Sequence, residues 1–177
     1  MGEKIFLNPG HAPNGIPDPG CMNRELNVTE VEIAVSVANM VSNMLTGAGY
    51  ETMVYQNDSL NDIAVTANNW GADYFISIHV NDYPDDKVNG TETYCFDTLS
   101  EGGLLADAIH YKIVTKLNMK NRGVKEAGFT VIKRTAMPAI LVELGFINSV
   151  DIRKLMSRQE DFAKAVYDGI IAFLEDE

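Results

Sequence analysis

Short apolar runs alternate with stretches of helical periodicity along almost the whole of this chain, and no other feature restricts the fold as strongly. Lys4–Leu7, Tyr50–Tyr55, the run from Tyr74, Thr91–Phe96, Phe129–Ile132 and Ala139–Leu144 read as strands. Between them lie helical patterns. Thr29 and Glu32 form a capping box ahead of a stripe at Ala34, Val37, Ala38, Val41, Met44 and Leu45. Leu60–Trp70 is a second helix, stopped by Gly71. A third starts near Ser100 and carries Leu104, Leu105, Ala108, Ile109, Ile113 and Leu117. Ser149 is expected to cap a short helix before a last one striped by Phe162, Val166, Ile170 and Phe173. Strands joined through helices must run largely parallel and be covered on both faces. The expectation is an α/β fold: one domain over residues 1–177, with a mixed, mainly parallel sheet of about six strands and helices on both faces.

At 177 residues and 46% hydrophobic the chain can bury a real core. The net charge of -11 argues against a nucleic-acid partner, and no apolar run reaches the roughly 18 residues of a membrane span. Cys21 and Cys95 are too few for a disulfide framework and read as free thiols.

In such folds ligands gather beyond the carboxyl ends of the strands. Tyr74-Phe75-Ile76-Ser77-Ile78-His79-Val80-Asn81-Asp82 is a buried-strand pattern that ends on an imidazole, and the first strand runs into Asn8-Pro9-Gly10-His11. Two of the three histidines in the chain thus reach one edge. The third, His110, lies mid-helix and reads as a partly buried structural residue. Two imidazoles at one place suggest a metal such as zinc, and a hydrolytic zinc site takes a third protein ligand and leaves one position open. Glu30 continues the core-facing stripe four residues before Ala34, whereas Glu32 lies about 200° round the helix. A carboxylate on that face is costly unless it is paired or bound to a cation. The pattern fits a ligand and a first-turn glutamate held by the helix dipole equally well. Glu143 is an acid inside the apolar segment Ile140–Phe146, either a general base or a solvent-facing residue of an edge strand. Asn81 could orient a ligand or shape a turn. Arg122 and Lys125 could hold a peptide carboxylate or form a solvated basic turn. From Ala12 to Asn27 the chain reads as a long, irregular loop.

Asn8-Pro9-Gly10-His11, Ser77-Ile78-His79-Val80-Asn81 and Pro138-Ala139-Ile140-Leu141-Val142-Glu143-Leu144-Gly145-Phe146 resemble, in order and spacing, three signature blocks of the zinc-dependent N-acetylmuramoyl-L-alanine amidases of the amidase-3 type. Gly90–Tyr94 and Arg122–Lys125 also resemble that family, and the likeness runs from about Lys4 to Leu174. It implies zinc held by His11, Glu30 and His79, with Glu143 as catalytic acid/base. The substrate it implies is peptidoglycan or a muropeptide, cut between the lactyl group of N-acetylmuramic acid and L-alanine, with Asn81, Arg122 and Lys125 as candidate substrate contacts. The chain departs from the family at Asn8, where the family usually has aspartate, at Ala34, and in the loop of residues 12–27 with its prolines and Cys21. The expected setting is the bacterial cell wall, and the expected state a monomer. Met1-Gly2-Glu3-Lys4 opens no signal peptide, which suggests phage-type release or a domain of a longer hydrolase. The competing readings are another zinc amidohydrolase or peptidase on wall fragments, and a non-catalytic wall-binding module.

Overall fold

The structure is a computed structural model that describes residues 2–175. Its centre is a six-stranded sheet built from β1 (Lys4–Pro9), β4 (Glu51–Val54), β5 (Tyr74–Asn81), β6 (Thr91–Cys95), β7 (Asn121–Glu126) and β8 (Ala139–Phe146), in the order β4-β1-β5-β8-β6-β7. Strands β4, β1, β5 and β8 are parallel neighbours, whereas β6 is antiparallel to β8 and parallel to β7. The mixed, mainly parallel sheet is therefore as expected.

Alternate residues of the inner strands feed two separate cores, which is why these strands read as continuous apolar runs. Ile5, Leu7, Ile76, Ile78, Ile140 and Val142 pack beneath α1 (Glu30–Gly47), α3 (Glu101–Leu117) and α6 (Gln159–Glu175). Phe6, Phe75 and Leu141 pack beneath α2 (Leu60–Trp70) and α4 (Thr130–Lys133). Among the described residues these two shorter helices cover the second face. Continuing its parity along the strands leads from Phe6, Phe75 and Leu141 to Asn8, Ser77, His79 and Glu143. Polar groups thus begin on this face where the apolar core stops.

The capping box forms as expected: the Glu32 amide donates to the Thr29 hydroxyl oxygen, and the Thr29 amide to the Glu32 carboxylate. Three local expectations are corrected. Phe129–Ile132 is not a strand; it leads into α4, where Val131 and Ile132 are buried by one turn of helix. The sixth strand is instead β7, a segment whose pattern allows a basic turn. Its charged residues and Gly123, at φ 85°, hide the alternation of a strand, and its register against β6 shifts between Thr91 and Thr93. Ser149 does not cap α5 (Ile152–Ser157); its hydroxyl donates to the Phe146 carbonyl and accepts from the Asp151 amide, closing the turn before that helix. Part of the 12–27 loop is regular too: β2 (Met22–Asn23) pairs antiparallel with β3 (Val28–Thr29).

His110 is fully rather than partly buried, at 5% exposure, and pins α3 to two strands. Its Nδ1 lies 3.1 Å from the Thr93 hydroxyl and its Nε2 2.9 Å from Asn121 Oδ1. Replacing it with alanine strands two buried partners and leaves a cavity, for an expected loss of about 2–3 kcal/mol. Denaturant titration of His110→Ala checks this; an unchanged midpoint would show that water satisfies the pair. Both cysteines are free, as expected. Among the described residues no helix is long and apolar enough to cross a membrane.

Candidate metal centre

His11, Glu30 and His79 come from three different elements and place one potential ligand atom each within 4.8 Å of the others. His79 is the sixth residue of β5. His11 follows β1 after a turn secured by the Gly10 amide on the Ile78 carbonyl, and has a left-handed backbone at φ 68°. A non-glycine residue rarely accepts that conformation, and here it accompanies a ring that meets two carboxylates. Gly10 must be a glycine because a Cβ there would sit 2.2 Å from the His79 ring.

Glu30 is the first residue of α1 and only 4% exposed. One carboxylate oxygen lies 2.9 Å from His11 Nε2, the other 2.9 Å from His79 Nδ1. The same oxygens accept the Cys21 and Val80 amides, each at 3.0 Å. Burial alone would push the Glu30 carboxyl up, but the two imidazoles hold it well below the usual carboxylate range. Burial likewise pulls His11 down, yet the contacts with Glu30 and Asp18 outweigh it and raise His11 to about 9. The pocket is thus electrically arranged to hold a cation. Two imidazoles and a carboxylate fit a borderline divalent metal by charge, donor type and spacing.

Asp18, which nothing in the sequence pattern singles out, holds the outer nitrogen of His11. Its Oδ2 lies 2.7 Å from His11 Nδ1, while Oδ1 accepts the Gly20 amide at 2.9 Å. This is the carboxylate–histidine arrangement that orients metal ligands. Asn8, at the position where the family usually has aspartate, does something else. Its amide donates to the Tyr55 and Pro9 carbonyls, and its oxygen accepts the Ser77 hydroxyl. Gly20, at φ 69°, lets the loop lie against the cluster, since a Cβ there would sit 2.5 Å from Glu30 Oε2 and 2.8 Å from His11 Nε2.

Glu143 stands directly opposite His79 in the β5–β8 register, so the acid and the imidazole project from adjacent strands. Strand β8 lies between β5 and β6, which rules out the edge-strand reading. Its Oε2 is buried without a hydrogen-bond partner. Burial, followed by the charges of Glu30 and Glu92, raises the Glu143 carboxyl well above the usual carboxylate range, which favours its protonated form.

On the other side of Glu143, Glu92 is its register partner on β6. Asn81, Arg122 and Lys125, the three remaining candidates, all converge on this one buried carboxylate. Asn81 Nδ2 donates to it at 2.8 Å, as does Arg122 Nε at 2.8 Å, and Lys125 Nζ and the Tyr94 hydroxyl complete its shell. The Asn81 oxygen accepts the Asp82 amide. Glu92 carries a legible signal, an acid between threonines in an alternating strand, but nothing along the chain connects it with function.

A cavity of about 560 Å³ opens over His11, His79 and Glu143. One wall is the start of α2, with Asp58, Leu60 and Ile63; the other is Phe129, Thr130 and Val131.

Comparison with known proteins adds an independent line. The profile of the Amidase_3 family, described as N-acetylmuramoyl-L-alanine amidase, matches residues 5–172. The chain is 36% identical over 183 residues to the N-acetylmuramoyl-L-alanine amidase LytC of Bacillus subtilis, covering 98% of this chain and 36% of that protein. To the sporulation-specific N-acetylmuramoyl-L-alanine amidase of the same organism it is 37% identical over 158 residues, 86% of this chain and 60% of that one. It therefore spans less than two thirds of the length of either relative. The solved structure of the amidase AmiC2 of Nostoc punctiforme superimposes with a TM-score of 0.88 at 28% identity, covering 98% of this chain and 97% of that one.

Proposed function

Since the chain belongs to the amidase-3 family of N-acetylmuramoyl-L-alanine amidases, we propose that it cleaves the amide between the lactyl group of N-acetylmuramic acid and L-alanine in peptidoglycan, with zinc as its metal. The observation that carries this reading is the carboxyl of Glu143, one oxygen of which is buried without a hydrogen-bond partner, on the strand next to a two-imidazole, one-carboxylate cluster.

His11, Glu30 and His79 would hold the ion, with Asp18 fixing the ring of His11. The chemistry that zinc supplies in such a place is Lewis acidity toward an amide carbonyl and a water molecule. Glu143 takes the proton of the attacking water and delivers it to the departing alanine nitrogen, so one carboxyl serves as base and then as acid. Its raised proton affinity suits both halves of that cycle. Arg122 spends only Nε on Glu92, and its other donors, with those of Lys125, can meet a carboxylate of the stem peptide. Asn81 contributes through Glu92, which it steadies. The working place is the bacterial cell wall, and the acting form a monomer.

Digestion of purified cell walls tests the reading. New L-alanine amino termini and free muramic lactyl carboxylates are expected. Amino termini inside the stem peptide would instead make the chain a peptidase, and no release by zinc-loaded protein would favour a wall-binding module. Asp18→Asn is expected to weaken metal affinity about 10- to 100-fold while leaving the fold intact, measured by competition with a chromophoric chelator. Unchanged affinity would remove Asp18 from the support of His11.

A further inference from the structure

Glu92 and Glu143 are register partners on β6 and β8, so their side chains leave the same face of the sheet side by side, yet their surroundings are opposite. Glu92 accepts four donors. Its Oε1 takes Asn81 Nδ2 at 2.8 Å and the Tyr94 hydroxyl at 2.9 Å, and its Oε2 takes Arg122 Nε at 2.8 Å and Lys125 Nζ. One strand over, Oε2 of Glu143 is buried with no partner among the described residues. Reach does not explain the contrast. Arg122 extends across β6 to β8 itself, where its guanidinium carbon stands 5.0 Å from the ring centre of Phe146. Phe146 pairs with Asn81 and Glu143 with His79 across the register shift near the end of β8, so both lie along the same side of that strand. Two cations against one carboxylate also leave a positive charge over, which a second carboxylate on this face attracts.

We propose that Glu92 is a positioning residue that engages Arg122 and Lys125 so that neither bridges to Glu143, whose oxygen stays open to the attacking water. This rests on the amidase reading of the same site. A guanidinium that docks on a carboxylate takes up lone pairs of its oxygens and fixes its plane, and a carboxyl held in that way cannot turn from water to leaving group. The two neutral donors serve the same end. By holding Oε1, Asn81 and Tyr94 set the rotation of the Glu92 carboxylate and leave Oε2 to the cations.

Glu92→Gln keeps the size and one acceptor oxygen and removes the charge. On a soluble muramyl peptide the zinc-loaded variant is expected to lose about 10²-fold in kcat with KM within about twofold and metal content unchanged. In Glu92→Gln/Arg122→Gln/Lys125→Met the cations are gone as well, and kcat should recover by about tenfold or more over the single variant, even where KM rises. A purely structural Glu92 predicts the reverse, because the triple variant keeps none of its ion pairs. Undiminished kcat in Glu92→Gln, or no recovery in the triple variant, overturns the proposal. Crystal structures of the metal-free wild type and Glu92→Gln give a second readout: a nitrogen of Arg122 or Lys125 at hydrogen-bond distance from Glu143 is expected in the variant alone. Cations that leave Glu143 bare in that variant overturn the proposal whatever the kinetics. Should Glu92→Gln fail to fold, the triple variant, which buries no unpaired cation, decides: kcat within about tenfold of wild type supports the proposal and a larger loss overturns it. If zinc-loaded wild type turns over no muramyl peptide, the amidase reading is what has failed, and the paired crystal structures still decide the role of Glu92.

Discussion

Glu143→Ala is expected to bind a full equivalent of zinc, fold normally and lose about 10³-fold in kcat on cell-wall substrate. The size follows from the proposed role: Glu143 stands on the strand next to His79, and among the described residues its buried Oε2 has no hydrogen-bond partner. Stability should move the other way or not at all. A buried, unsatisfied carboxyl oxygen costs roughly 1–3 kcal/mol, and deleting it offsets the space left behind. Such a combination, activity lost while stability is kept, marks a site held in a costly state for function. Thermal unfolding and metal content, read beside kcat, check all three parts. Full turnover by Glu143→Ala would sink the assignment of the base.

Glu30→Ala should have the opposite signature: metal content falling to background together with a clear loss of stability. Glu30 ties together two imidazoles and the amides of Cys21 and Val80, and so joins α1, the 12–27 loop and the end of β5. Stranding a buried amide costs roughly 1–3 kcal/mol, so a loss on the order of 3 kcal/mol is expected in the metal-free protein. Glu30→Gln separates the two effects, because it keeps an acceptor oxygen and removes the charge. Retention of one equivalent of metal by Glu30→Ala, measured by elemental analysis, would remove Glu30 from the ligand set.

The placement of these two glutamates is legible in the sequence to different degrees. Glu143 stands out because an acid inside Ile140–Phe146 contradicts its surroundings; only the strand order, with β8 between β5 and β6, shows that it is not a solvent-facing edge residue. Glu30 fits a ligand and a helix-dipole glutamate equally well along the chain, and only the fold brings its carboxylate between His11 and His79. Strand β7 escapes pattern reading because an edge strand carrying ion pairs to Glu92 need not alternate, and α4 because four residues are too few to show a helical period.

What the chain determines locally is its set of buried strands and amphipathic helices, the capping box at Thr29, and the delivery of His11 and His79 to strand ends. These depend on periods of two and 3.6 residues and on short-range hydrogen bonds, all of which are written within a few positions of each other. The tertiary structure decides the rest: that Asp18 rather than residue 8 supports His11, that Glu92 gathers Asn81, Arg122 and Lys125, and that Glu143 faces His79 with a bare oxygen. Each of those depends on residues brought together across strand register or from an aperiodic loop, where spacing along the chain carries no information about spacing in the fold.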